Sequence, residues 1–256
     1  MVGGVKVVTR YPERKPSLDS KLILMNAQTG EFLAVMDANW ITAMRTGAVA
    51  AHSILLFAKK QFCRVGMIGL GNTARATLLV LPQMLDGRNL DIKLLKYKGQ
   101  EILFAQRFAS YPNLHFSYVD QYSDVVRGSE VVISCATYFD SDICADEDFD
   151  ESVLVVPVHT RGFSNCDLFF DRVYADDYGH VHHFKNFDKF RSFAEVCDVV
   201  NGTAMGRTSD QERILAYNIG VSMHGINYAA HIYQMICSRD DLMEIDMKDP
   251  TEKFCI

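Results

Sequence analysis

The sequence predicts an α/β chain, a doubly wound parallel sheet inserted into a second, α+β unit. Three observations predict it. From Cys63 onward, short apolar strands alternate with helical segments, the pattern of a parallel sheet covered on both faces. The first of those strands runs into "GLGNTA", a glycine turn that opens a helix. Before it, residues 1–55 hold one strand, a hairpin and a helix, too little sheet to bury two faces. Two units are therefore expected: 1–55 together with 205–256, and 56–204 between them.

The elements follow in order. "VKVVT", Val5 to Thr9, reads as a strand, and "RYPERKPSLDS" as a polar, proline-bearing loop. "KLILMNAQTGEFLAVMDA" reads as two strands joined at "NAQTGE", where Gly30 suits a tight turn. "NWITAMRTGAVAAHSILLFAKK" carries small and apolar residues at helical spacing, with Arg45 and Thr46 at or near the helix start. "CRVGMIG" is a strand and "TARATLLVLPQML" a helix, with Pro82 a possible kink. "IKLLKY", "LHFSYV", "EVVISCAT", "SVLVVPV" and "DRVYADD" supply five further strands, with a helix through "EILFAQRFASY" and a short helix or turn at "QYSDVVRGS". From about Arg213, "RILAYNIGVSMHGINYAAHIYQMI" reads as one long helix returning to the N-terminal segment, and the tail after it is polar.

Composition narrows the function classes. Of 256 residues, 48% are hydrophobic and 23% charged, so a sizeable core is available. A net charge of −6 with no basic stripe argues against nucleic acid as the main partner. No apolar run approaches the roughly 18 residues of a membrane span, and the opening residues have no secretory apolar stretch, so a cytoplasmic chain without membrane association is expected. None of the seven cysteines forms C-x-x-C, and Cys63, Cys135, Cys166 and Cys197 lie in or beside apolar runs, as reduced structural thiols do.

The glycine turn fits G-x-G-x-x-A in the setting that gives the motif meaning, after a strand and at a helix mouth. Gly69 permits the sharp turn, Gly71 lets a pyrophosphate approach the main chain, and Ala74 lets the helix pack close. Asn72 and Thr73 open the helix, whose unpaired N–H groups favour an anion. These residues predict a dinucleotide site in a Rossmann-type sheet. The second strand ends "LLKYKGQE", with Tyr97 and Lys98 where an acidic residue would accept a ribose hydroxyl. A lysine suits a 2′-phosphate, which favours NADP over NAD.

Other candidates are single residues. Arg45 precedes Gly47 and a run of small residues, and its planar fork suits a carboxylate. Lys6 points away from Val5 and Val7, and partial burial would lower its pKa. By pattern alone both read first as ordinary residues, Arg45 at the surface or ion-paired and Lys6 on a wet face. "VPVHTRGF" puts His159 and Arg161 after a strand end, where α/β sheets bind ligands. His180, His182 and His183 lack a partner at metal-ligand spacing, so a polar loop and no metal are expected there.

Four stretches together, "GVKVVTRYP", "NAQTGEFLAVMDANWITAMRTGAVAAHS", "MIGLGNTARA" and "GRTSDQERILAYNIGVSMHGI", resemble the ornithine cyclodeaminase/mu-crystallin family in order and spacing over nearly the whole chain. The resemblance implies a homodimer, with a dinucleotide-binding domain inserted in a substrate and dimerisation domain, and hydride transfer between nicotinamide and a carbon–nitrogen centre of a small amino or imino acid. It implies that Lys6 and Arg45 face the substrate, Arg45 gripping its carboxylate. It places Thr46 on the cofactor side, and Ala136 and Thr137 of "SCAT" beside the nicotinamide ribose. His159 and Arg161 would line the substrate end. Three departures stand out. Family chains usually begin several dozen residues earlier, so the first unit looks N-terminally truncated. The catalytic aspartate of cyclodeaminases falls on or near Arg161, which cannot accept a proton. Gly225 stands where the late helix commonly carries an acidic residue. The expected activity is an NAD(P)-dependent imino-acid reductase or amino-acid dehydrogenase. The alternatives are a cyclodeaminase converting ornithine to proline and ammonia, and a non-catalytic nucleotide- or small-ligand-binding member.

Overall fold

The computed structural model describes residues 1–14, 16–139, 141–158 and 168–245. Strands β1 (Val2–Arg10), β2 (Leu18–Asn26) and β3 (Phe32–Asp37) form an antiparallel sheet in the order β1-β2-β3. Its inner face packs Leu22 and Leu24 against Ile41 of helix α1 (Asn39–Phe57) and Ala229 and Ala230 of helix α7 (Ser222–Ile236). Its outer face carries a row across the three strands, Val5 opposite Ile23 and Ile23 opposite Val35.

The remaining strands build an eight-stranded sheet. They are β4 (Arg64–Ile68), β5 (Leu90–Leu95), β6 (Leu114–Val119), β7 (Val131–Ser134), β8 (Leu154–Pro157), β9 (Arg172–Ala175), β10 (Phe193–Glu195) and β11 (Ile214–Tyr217), in the order β10-β9-β11-β8-β7-β4-β5-β6. Every pairing is parallel. Strands β7, β8 and β11 are buried at all their positions, as strands covered on both faces must be. Helices α2 (Asn72–Met84), α3 (Gln100–Arg107), α4 (Tyr122–Val126), α5 (Tyr178–Val181) and α6 (Val196–Val200) complete the described helices.

One face packs Val65, Met67 and Ile133 against Ile54 and Phe57 of α1 and Leu78 of α2. The Phe57 ring stacks on Tyr174 at 4.0 Å. The other face packs Ile68, Val132 and Val155 with Tyr217 and Phe149. The chain turns outward in both directions from β4, so the crevice between β4 and β7 is the topological switch point.

Three expectations are corrected. Residues 213–236 are not one helix: Ile214–Tyr217 form β11, between β8 and β9, and the helix begins at Ser222. Four consecutive apolar residues cannot be told from a helical segment by period, and both sides of β11 are covered. The strand lies C-terminal to residue 205, yet inside the large sheet. Arg45 does not open a helix but sits within α1, which starts at Asn39. His180 lies in α5 and His182 just after it, a short helical turn where a polar loop was expected, and His182 stacks on Tyr178 at 5.1 Å.

Candidate functional site

Because the strands of the large sheet are parallel, the loops after β4, β7, β9 and β11 open at one edge. Gly69 has φ +78°, and a Cβ on it would lie 2.5 Å from the Ala136 nitrogen. The turn after β4 therefore touches the turn after β7, and only glycine fits. Gly71 differs. Its φ of −79° and ψ of −166° suit any residue, and nothing lies within 4 Å of the Cβ it lacks. The space there is open. Helix α2 then starts without a side-chain cap and without an acidic residue in its first turn, so its first N–H groups are free to meet an anion. Ala74 is fully buried under the turn. This cradle fits the diphosphate of a dinucleotide.

The rest of the expected cofactor face is placed as follows. Asn72 accepts a hydrogen bond from Arg75 Nη1 at 3.4 Å, whereas the buried Arg75 Nε has no partner. Thr73 supplies its carbonyl to Thr77 at 3.0 Å. Thr46 is buried and its hydroxyl donates to the Thr42 carbonyl at 2.8 Å, so its own helix uses that proton. Thr137 is exposed beside Ala136. At the end of β5, the N–H of exposed Tyr97 donates to Glu101 at 3.0 Å, and Lys98 Nζ lies 5.1 Å from the Tyr97 ring centre. Lys96 is ion-paired with Asp120 at 2.9 Å, whereas Lys98 has no ion-pair partner among the described residues.

A second group gathers around the loop between β11 and α7. Lys6, on the inner face of β1, points at α7: its Nζ is 3.5 Å from where a Gly225 Cβ would stand. The Arg45 guanidinium occupies the space beside Gly220, whose φ is +101°. Arg45 Nε and Nη1 are buried and have no hydrogen-bond partner among the described residues, and no ion pair reaches Lys6. Burial, and then the Arg45 charge, lower the Lys6 pKa from 10.5 to about 8. Burial lowers that of Arg45 too, opposed by Asp176. Asp176, just past β9, is buried, which raises its pKa against the pull of the Gly220 N–H it accepts. His224, in the first turn of α7, is held low by burial and then by Arg45. Three elements thus bring two cations with free donors to one place, next to a helix start that has no cap. Such a place is chemically suited to a carboxylate.

The structure brings together Lys6 and Arg45, and separately Gly69, Gly71 and Ala136. The loops carrying the two groups leave strands β11 and β4, three strand spacings apart, roughly 14 Å at about 4.8 Å per strand. His159 and Arg161 lie outside the described residues. Sequence reasoning missed Asp176, Gly220 and His224. The acidic end of "VYADD" was a signal for Asp176, since acidic residues at carboxyl strand ends face the ligand edge. Gly220 was hidden inside a segment read as helix.

Two other features do not compete. A cleft of about 700 Å³ lies at the opposite, amino-terminal edge, lined by Leu55, Lys59, Glu130 and Arg207. Two of its cationic groups are already engaged: Lys59 pairs with Glu130 at 3.1 Å, and Arg207 donates to four backbone carbonyls. Glu195, Cys197 and Asp198 come within 4.8 Å of one another, but Glu195 and Asp198 cap α6.

The chain is similar in sequence and in fold to known proteins. The chain is 27% identical over 228 residues to N-((2S)-2-amino-2-carboxyethyl)-L-glutamate dehydrogenase of Staphylococcus aureus, covering 83% of this chain and 67% of that protein. An archaeal alanine dehydrogenase dimer with bound NAD superposes with a TM-score of 0.83 at 21% identity, over 96% of this chain and 81% of that one. Thermococcus litoralis Delta(1)-pyrroline-2-carboxylate reductase, in complex with NADH and L-proline, superposes at 0.77 with 21% identity, over 90% and 77%. These likenesses establish the fold. The model of the ornithine cyclodeaminase/mu-crystallin family matches residues 1–240, and the chain belongs to that family.

Proposed function

We propose that the chain is a nicotinamide-nucleotide-dependent oxidoreductase that reduces the C=N bond of a small imino acid, or oxidises the matching amino acid. The observation that carries this reading is the pair of unpartnered Arg45 donors beside Lys6, on the same edge as the open glycine cradle. The S. aureus relative and the two structural neighbours, with their amino- and imino-acid names and bound NAD or NADH, support it.

The cradle at Gly69, Gly71, Asn72 and Thr73 would hold the diphosphate, with Ala136 and Thr137 beside the nicotinamide ribose and Thr46 on the cofactor side. The bound nucleotide supplies the hydride. Arg45 receives the carboxylate in its planar fork, which fixes the imine carbon for attack. Lys6, its pKa lowered to about 8, gives a proton to the nitrogen as the carbon gains hydride, and takes it back in the oxidative direction. His159 and Arg161 would line the substrate end. Lys98, with Tyr97, offers a 2′-phosphate a cation and a ribose hydroxyl no acceptor, which favours NADP over NAD. Titration with both reduced nucleotides tests that choice, and a clear preference for NADH removes it.

The main test is Arg45→Ala. The expected result is a KM for the imino acid raised by about 100-fold or more, with nucleotide affinity unchanged within about twofold. Equal loss of nucleotide affinity would assign Arg45 to the other ligand. Ammonia released from ornithine without net nucleotide consumption would identify a cyclodeaminase instead. Binding of NADPH with no turnover across a broad imine panel would identify a non-catalytic binding member.

The substrate unit, residues 1–55 with the C-terminal helix, would also form a homodimer through the outer face of its sheet. Val5 and Val7 there are each 53% exposed and Val35 72% exposed, and the archaeal neighbour is a dimer. No helix among the described residues is long and apolar enough to cross a membrane.

A further inference from the structure

We infer that Asp176 and Gly220 form a seat for Arg45, with Asp176 a positioning residue that fixes where the guanidinium meets the substrate carboxylate. The inference rests on the reading of Arg45 as the carboxylate anchor. Three observations carry it. First, the Gly220 N–H donates to Asp176 Oδ2, which ties the loop after β11 to the end of β9. The Asp176 side chain is only 3% exposed, so this tie is made out of water. Second, the guanidinium lies in the space that any side chain on residue 220 would need, and the +101° φ of Gly220 is one that L side chains rarely adopt. The loop backbone is thus the wall against which Arg45 rests. Third, Arg45 makes no hydrogen bond to that wall: its Nε and Nη1 have no acceptor among the described residues.

The arrangement separates two tasks that a direct ion pair would merge. A bidentate Arg–Asp pair would hold Arg45 firmly but use the fork that a substrate carboxylate needs. Here Asp176 spends one oxygen on the loop, and the loop holds Arg45 by shape. The anion stays near enough for its charge to act on Arg45, while the fork stays free. His180 Nδ1, 3.7 Å from Asp176 Oδ1, closes the far side of the carboxylate.

The test is a binding measurement on nucleotide-loaded protein. The probes are pyrrole-2-carboxylate, a planar carboxylate resembling a cyclic imino acid, and pyrrole-2-carboxamide, its uncharged counterpart. Wild type, Asp176→Asn, Asp176→Ala, Gly220→Ala and Arg45→Ala are compared. Wild type is expected to prefer the carboxylate. Asp176→Ala and Gly220→Ala should each reduce that preference at least tenfold with nucleotide affinity unchanged within about twofold. Asp176→Asn keeps the size and the acceptor oxygen, and should retain most of the preference. In an Arg45→Ala background, Asp176→Ala and Gly220→Ala should have no further effect, a coupling that a merely structural role would not produce. Full carboxylate preference in both Gly220→Ala and Asp176→Ala overturns the seat while leaving Arg45 as anchor. If Asp176→Ala does not fold, unaltered preference in Gly220→Ala overturns it alone. A wild type that does not tell carboxylate from carboxamide overturns the anchor reading itself, and the seat with it.

Discussion

Lys6 concentrates the chemistry of the site into one titration. Its amine is half-buried, faces Gly225 rather than an acidic side chain, and feels Arg45, which together bring its pKa to about 8. If the protonated amine donates to the imine nitrogen, reductive kcat should fall as pH rises through about 8, and Lys6→Met should abolish that limb of the profile. Gly225→Asp would place an anion beside Nζ, and the same limb should then move to higher pH. Stability carries the opposite sign. Below pH 8 the amine is charged in both folded and unfolded chains, and the folded state bears the desolvation. Between about 8 and 10.5 the unfolded chain binds more protons, so this group's contribution improves as pH rises. Lys6→Met should therefore raise the melting temperature at pH 7, with the gain shrinking towards pH 10.5. A lower melting temperature at pH 7 would show that Lys6 has an anionic partner. None of this was legible in "GVKVV" alone, where a lysine between valines reads as a wet-face residue. Burial of Lys6 depends on α7, more than two hundred positions away, so the strand pattern offered it only as a candidate and the family resemblance made it an expectation.

At the scale of elements, the glycine turn divides into a folding position and a binding position. Gly69→Ala forces a positive φ on alanine, costing about 1–2 kcal/mol, and adds a clash with the Ala136 backbone. It should lower the melting temperature and nucleotide affinity together. Gly71→Ala meets open space in an ordinary backbone conformation, so its melting temperature should stay within about 1–2 °C of wild type. Its nucleotide Kd should nevertheless rise at least tenfold, because the methyl group stands where the diphosphate must approach. An unchanged Kd would place the nucleotide elsewhere. The turn was legible because its function is local: strand, two glycines and helix mouth lie within one short stretch. β11 was not, because its four residues are apolar throughout and its identity comes from β8 and β9 on either side. The strand β10 and helices α5 and α6 were missed for a related reason. They are three to five residues long, too short to show a period.

For the molecule as a whole, the open question in its architecture is the outer face of the three-stranded sheet. A sheet needs cover on at least one apolar face, and among the described residues this one is covered on the inner face, by α1 and α7. The row Val5, Ile23, Val35 on the other side is apolar across all three strands. A second copy of the same face covers it with the fewest assumptions, since a two-fold pairing sets each row against itself. Any charge placed there then meets its own copy. Val5→Lys with Val35→Lys should convert a dimer into a monomer by light scattering, and lower the melting temperature. A wild type that is monomeric at micromolar concentration would remove the pairing. The consequence reaches the site through β1, whose residues alternate between the two faces: Val5 and Val7 point outward and Lys6 inward. Among the described residues strand β1 is an edge paired with β2 alone, so such an outer contact would stiffen it. Turnover per mole should therefore fall as the protein is diluted through its dimer dissociation constant, with KM for the imino acid rising first. Nucleotide affinity should hold over the same range, because the glycine cradle belongs to the large sheet and shares no strand with the interface.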